Sequence, residues 1–300
     1  MSVKFKGKIA SLLLLTGAFI PPGPARASDT HVIPGRSRED GQPRSIPVRI
    51  FRNFLVVAQG KLGSSPEIQN FLLDTGTAPS IINGRLARQI GLESLPSTFR
   101  ALGKTVPAQA SNLPEVDLGP IRVVSLPVQV QDLSRLERYL GIPIAGILGM
   151  DVLSKSSFRL DYEKRELQFG GVSHLGIPVP YDAQSGIAVA EVRIEGQHER
   201  FLVDTASDAI VLFGGNFAEA RRLALRSTRQ WGASLGDQKM KVQVFPAADI
   251  LLGGQHFTDD RAYFLPGNAD PIFDGLLGVR ALGFRALSYD QGRATIYLQR

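Results

Sequence analysis

The chain has 300 residues, 43% of them hydrophobic and 8% aromatic, with a formal charge of +6 at pH 7. That length suits two domains of ordinary size, and the apolar fraction excludes a chain disordered throughout. With no cysteine it has no disulfide, no thiolate nucleophile, no thiolate metal site and no cysteine for a lipid anchor.

The first 27 residues read as a signal peptide. Lys4, Lys6 and Lys8 make a positive start, Ile9 to Ile20 is a nearly unbroken apolar run, and Ala25-Arg26-Ala27 ends it. A run of twelve residues is too short to cross a bilayer as a helix, whereas the Ala-x-Ala step suits cleavage after Ala27. The expected mature protein is periplasmic or secreted. Its removal takes Lys4, Lys6, Lys8 and Arg26 with no acid, so the charge falls to +2. A nearly balanced surface gives no reason to expect nucleic acid or membrane as a partner. Arg221, Arg222, Arg226 and Arg229 read as a solvated helix face. Residues 28–45 are polar, with Pro34, Gly35, Gly41 and Pro43, and are expected to form a flexible leader.

From Ile46 the chain can be laid over itself at an offset near 130. Phe71-Leu72-Leu73-Asp74-Thr75 meets Phe201-Leu202-Val203-Asp204-Thr205, and Gly146-Ile147-Leu148-Gly149 meets Gly275-Leu276-Leu277-Gly278. Asp and final Gly stand 75 residues apart in the first copy and 74 in the second, a spacing that unrelated segments would not keep. The expected lobes are residues 46–177 and 178–300.

Each copy runs in the same order. An extended stretch (54–62; 187–194) meets a turn (Gly63 to Pro66; Glu195-Gly196-Gln197), and a second strand ends in Asp-Thr. A short helix follows (85–90; 217–223), then more strands, with closing strand pairs at 162–169 and 287–298. Val189 to Ile194 alternates as a half-buried strand does. Nothing alternates as parallel βαβ units do, so the expected fold is mainly β with a few short helices.

Asp74 and Asp204 each end a strongly apolar strand, where an acid is costly unless hydrogen-bonded or functional. Related halves pack about a pseudo-two-fold axis, which would bring both acids together. Close carboxylates do not both ionise easily, so such a pair holds one proton between them. One can then act as general base on a water while the protonated one polarises a carbonyl.

The segment from Phe71 to Ser80, with Ile147-Leu148-Gly149 behind it and a second copy of both, resembles the retropepsin-like and pepsin-like aspartic proteases. The duplicated single-chain bacterial members are the nearest in character, and the resemblance covers roughly residues 46–300. It implies two acid-protease β-barrel lobes related by a pseudo-two-fold axis, acting as an endopeptidase on an extended peptide or protein substrate, without cofactor or metal. It makes Asp74 and Asp204 the catalytic pair. Thr75 and Thr205 would cross-bond the two loops, Gly76 and Ala206 would follow them, and Thr77 and Ser207 would bond the outer carboxylate oxygens. The Ile147 and Leu276 segments would thread each loop in a ψ-shaped crossing. A β-hairpin flap would cover the cleft, with 99–109 or 231–241 as candidates; Trp231 could pack over substrate or fill core.

One departure stands out. The second motif reads Asp204-Thr205-Ala206 where the family usually has Gly, and a methyl there would crowd the water or tilt the carboxylate. A second reading is therefore a peptide-binding module that kept the fold and lost turnover. The four histidines (His31, His174, His198, His256) form no zinc-type pair, and no Gly-x-Ser-x-Gly elbow or phosphate loop is present. Short connections favour lobes paired within one chain, hence a monomer.

Overall fold

The computed structural model describes residues 17–18, 31–34, 44–101, 104–182, 186–214, 230–235, 238–265 and 270–300. The segment expected to be a signal peptide lies outside these residues except for Gly17–Ala18, which pairs antiparallel with Ala101 and Arg100. The helix expected at 217–223, with its arginines, also lies outside them.

The fold is mainly β, in two lobes built to one plan. In the first, Leu55–Leu62 pairs antiparallel with Gln69–Leu73, the strand that ends at Asp74. Gly146–Leu148 then threads between that strand, parallel to it, and Ile81–Asn83, antiparallel to it. Ile81–Asn83 in turn runs parallel to Ile121–Gln131, which forms a hairpin with Lys104–Asp117. The second lobe repeats each step. Val189–Ile194 pairs with Gln197–Asp204, and Gly275–Gly278 threads between Gln197–Asp204 (parallel) and Ile210–Phe213 (antiparallel). Ile210–Phe213 runs parallel to Gln255–Leu265, which forms a hairpin with Gln238–Leu252.

Why glycine opens and closes each threading strand is visible in the packing. A Cβ on Gly146 would stand 2.4 Å from the Ile81 carbonyl oxygen, and one on Gly275 would stand 2.3 Å from that of Val211. At the far ends, a Cβ on Gly149 would meet Thr77 O at 2.0 Å, and one on Gly278 would meet Ser207 O at 2.5 Å. The Gly-x-x-Gly repeat is the sequence trace of backbone passing through a loop with no room for a side chain.

A base sheet joins the lobes. Its strands lie in the order Arg44–Phe51, Glu166–Phe169, Phe158–Asp161, Ala286–Asp290, Thr295–Gln299 and Ile177–Asp182, all antiparallel. At its centre Phe158 pairs with Tyr289, and the Tyr162 N–H donates to Arg285 O at 2.9 Å. Leu160-Asp161-Tyr162 and Leu287-Ser288-Tyr289 are a further trace of the repeat, so this pairing is symmetric about the axis relating the lobes. The main core cluster is apolar, from Phe71 and Leu73 through Phe158 and Tyr289 to Phe201 and Val203. These are the β-branched, aromatic and leucine side chains that stabilise a buried pleated sheet.

Some expectations need correction. The 28–45 segment was expected to be a flexible leader, yet His31–Pro34 pairs antiparallel with Ile121–Val124 and Arg44 already opens a base-sheet strand. Val32-Ile33 is β-branched, and that local preference outweighs the flanking polar composition. The helix expected from Arg85 is Gly84–Gln89, capped by the Asn83 side chain, which accepts the Arg85 N–H at 3.0 Å. Helices at Ser134–Leu140 and Met150–Leu153 were not anticipated. No helix among the described residues is long and apolar enough to cross a membrane.

Candidate active site

Asp74 and Asp204 come together beneath the junction of the lobes, both buried to within 1% of full enclosure. Each follows the strand that the glycine-flanked segment threads. The Asp74 N–H donates to Leu148 O at 3.0 Å, and the Val279 N–H donates to Asp204 O at 3.1 Å, so the threading strands hold both acids by their backbones.

The threonines after the acids lock the two loops together. The Thr75 N–H donates to Thr205 Oγ1 and the Thr205 N–H donates to Thr75 Oγ1, each at 3.1 Å. Their hydroxyls then donate outward, Thr75 to Val203 O at 2.7 Å and Thr205 to Leu73 O at 3.3 Å. Every bond in this set crosses between lobes, and both threonines are buried.

Around the carboxyls the symmetry breaks. Asp74 Oδ1 accepts the Gly76 N–H at 2.8 Å, and Oδ2 accepts the Thr77 hydroxyl at 2.6 Å. Asp204 Oδ1 accepts the Ala206 N–H at 2.6 Å, but its buried Oδ2 receives no donor. Ser207 was expected to supply one. Its hydroxyl instead donates to Ala209 O and accepts the Ala209 N–H, both at 3.2 Å. A serine that bonds its own turn backbone two residues on is a local arrangement competing with the longer reach to a carboxylate.

The two carboxyls lie within hydrogen-bonding reach of each other, and that contact favours the charged form of Asp74 and the neutral form of Asp204. Burial pushes both above the usual carboxylate range. For Asp74 the Thr77 hydroxyl and Gly76 N–H work against burial, while for Asp204 the neighbouring Asp74 charge adds to it and raises the group well above its ordinary value. Two buried carboxyls in contact do not both ionise easily, so this environment favours one proton held between them.

Ala206 does not crowd the acids. Its buried methyl packs in a first-lobe cluster with Leu55, Leu72 and Ile147. Ala78, four residues past the other acid, packs reciprocally with second-lobe Val211, Phe213 and Phe273. Neither Gly76 nor Ala206 has the left-handed backbone that would demand glycine.

Sequence inspection missed a buried clamp behind the first loop. Asp151 accepts the Ser80 N–H at 2.7 Å and its hydroxyl at 2.6 Å, while Ser80 Oγ accepts the Gly149 N–H at 3.0 Å. Burial raises the Asp151 carboxyl despite these donors. The repeat holds the signal: two residues past the closing glycine stand Asp151 in one copy and Arg280 in the other. Arg280 instead spans the lobes, donating to Asn53 O at 3.1 Å and lying over the Tyr162 ring at 5.1 Å.

Both flap candidates are β-hairpins. Leu95–Ala101 pairs with Lys104–Asp117, and Gln230–Leu235 with Gln238–Leu252. Their tips, 102–103 and 236–237, and the Trp231 side chain lie outside the described residues. Among the described residues, no three His, Asp or Glu side chains gather as metal ligands would.

Two ψ-threaded loops presenting a buried acid pair define a bilobal, internally duplicated acid-pair protein. The family model described as aspartyl protease matches residues 58–152 and again 190–281, once over each lobe. The chain belongs to the aspartyl protease family. No curated protein matches it.

Proposed function

We propose that this protein is an aspartic endopeptidase of the duplicated, retropepsin-like and pepsin-like kind, with Asp74 and Asp204 as its catalytic pair. The observation that carries this reading is the unequal bonding of two buried carboxyls on cross-bonded loops: Asp74 accepts the Gly76 N–H and the Thr77 hydroxyl, while Asp204 accepts the Ala206 N–H and its Oδ2 receives no donor. Asp74, as carboxylate, takes a proton from a water positioned between the acids while the water oxygen attacks the scissile carbonyl carbon. Asp204, protonated, donates its proton to the carbonyl oxygen. The C–N bond of the resulting diol then breaks, the nitrogen takes the proton held by Asp74, and a diol hydroxyl returns one to Asp204. A free carboxyl and a free amine leave, and the pair is restored without metal or cofactor.

Thr75 and Thr205 keep the acids at a fixed separation. Gly76, Thr77 and Ala206 supply the donors that make them unequal, and Ser207 stiffens the second loop. The two hairpins serve as flaps over an extended peptide. The basic, apolar and Ala-x-Ala order of residues 1–27 supports export to the periplasm or beyond. The mature chain acts there as a monomer, because one chain supplies both acids.

The test is cleavage of a denatured protein by purified mature protein in mildly acidic buffer. Cleavage abolished separately by Asp74→Asn and by Asp204→Asn supports the reading. A wild-type protein that binds a statine-type peptide and cleaves nothing overturns it in favour of a binding module.

A further inference from the structure

A pocket of about 210 Å³ opens where the lobes meet, with Arg52 and Phe54 lining it from the first lobe and Asp208, Asp259 and Arg280 from the second. It adjoins the second acid loop. Asp208 lies four residues past Asp204. Arg280 follows Val279, whose N–H donates to Asp204 O at 3.1 Å, and Phe54 packs in the cluster that holds Ala206.

Both guanidiniums are aimed without being neutralised. Arg280 Nε donates to Asn53 O at 3.1 Å and Nη1 donates to Phe284 O, with the guanidinium over the Tyr162 ring at 5.1 Å. Arg52 Nη2 donates to Tyr139 O at 3.2 Å, and its guanidinium lies over the Tyr139 ring at 4.9 Å. Carbonyl oxygens and ring faces fix the direction of a guanidinium but carry no formal charge to cancel it. Among the described residues neither arginine forms an ion pair. Asp208 and Asp259 have partners of their own, so a cationic edge is what the pocket offers a further ligand. The turn that carries Arg52 is also unusual: Arg52 and Asn53 both take the left-handed backbone, at φ 53° and 71°, and the Phe54 N–H donates to Phe51 O at 3.1 Å. Asparagine suits that conformation and arginine is disfavoured in it, a local strain of the kind that gathers at binding sites.

We propose that Arg52 and Arg280 form a specificity pocket for one acidic side chain of the bound peptide, at a fixed distance from the bond that lies over Asp74 and Asp204. A guanidinium edge matches a carboxylate through charge-assisted, paired N–H bonds, and the pocket has room for one side chain rather than for a folded segment. The inference rests on the peptidase reading for the peptide and its cleavage; the preference for a carboxylate is a binding property, measurable without turnover.

Short fluorescent peptides test it, each with a single Glu moved stepwise along a neutral sequence and each with a Gln twin. Binding is read on the Asp204→Asn protein at about pH 6, where a peptide Glu is ionised. At one position the Glu peptide binds about tenfold more tightly than its twin, and the margin vanishes when Arg52→Gln or Arg280→Gln is added. Arg52 is exposed on its turn, so Arg52→Gln and Arg52→Glu keep the fold, and Arg52→Glu weakens the Glu peptide below its Gln twin. Wild-type protein cuts the same peptides at one set distance from Glu. Equal binding of Glu and Gln peptides at every position overturns the proposal, as does a Glu preference that both arginine variants leave intact. A Glu preference equal at all positions overturns it too, since that marks attraction to the surface as a whole. Glu-dependent binding in a protein that cleaves nothing overturns the peptidase reading and leaves the pocket standing; cleavage indifferent to Glu does the reverse.

Discussion

Thr75 and Thr205 each receive the other's N–H on a side-chain oxygen at 3.1 Å, so neither Asp-Thr loop completes its hydrogen bonding without the opposite lobe. That exchange turns a 130-residue separation in sequence into a single rigid floor under the acids.

Breaking it has a predictable cost. Thr75→Val keeps the shape but leaves the Thr205 N–H buried without its acceptor, at about 1–3 kcal/mol. Urea unfolding is expected to show that loss for Thr75→Val and for Thr205→Val. The double variant should lose less than the two together, because each removes part of one network.

Thr77 and Ser207 occupy one repeat position and should behave differently. The Thr77 hydroxyl works against burial at Asp74, so Thr77→Ala raises that carboxyl further and moves the acidic limb of the pH–activity profile upward. Ser207→Ala removes a hydroxyl committed to Ala209 and leaves the profile in place. The two profiles, measured side by side, check the asymmetry.

Ala206 and Gly278 make a second contrast. Ala206→Gly removes a methyl packed in the first-lobe cluster and loosens the loop, a loss of about 1 kcal/mol without any gain in turnover. Gly278→Ala drives a Cβ to 2.5 Å from Ser207 O, so the second loop must shift and activity is expected to collapse. Thermal unfolding and peptide cleavage of both variants decide the matter.

The raised carboxyls also set a stability gradient. A folded acid whose pKa is raised contributes stability that is complete below the ordinary carboxylate range and is lost as pH rises through its folded value. Asp204 has the large shift, and Glu199, pushed up to about 7 by burial and by the Asp274 carboxylate, acts in the same direction. Asp204→Asn, permanently neutral, should therefore melt above wild type near pH 7 and show no such gain near pH 4. Melting curves at both values test the sign.

Much of this was legible in the chain itself, for physical reasons. The Gly-x-x-Gly repeats survive because each end would otherwise collide with a carbonyl oxygen, and the threonine of each Asp-Thr survives because its hydroxyl accepts the opposite threonine's N–H across the lobes. What escaped notice was set by choices the residue types leave open. Ser207 could have faced Asp204 or its own turn, and a serine is competent for both. Asp151 carries no local signal, since its partner Ser80 lies 71 residues away. The methyl of Ala206 was read as an intrusion because its direction, into the opposite lobe, depends on packing that only the assembled fold supplies.

The most direct test is a carbon-13 carboxyl titration of Asp74 and Asp204 in the mature protein. The account predicts coupled titration in two separated steps, the upper one well above the ordinary carboxylate range, lowered when Asp74 becomes Asn and absent when Asp204 does. Two independent titrations at about 4, each unmoved by replacing the other acid, would contradict it.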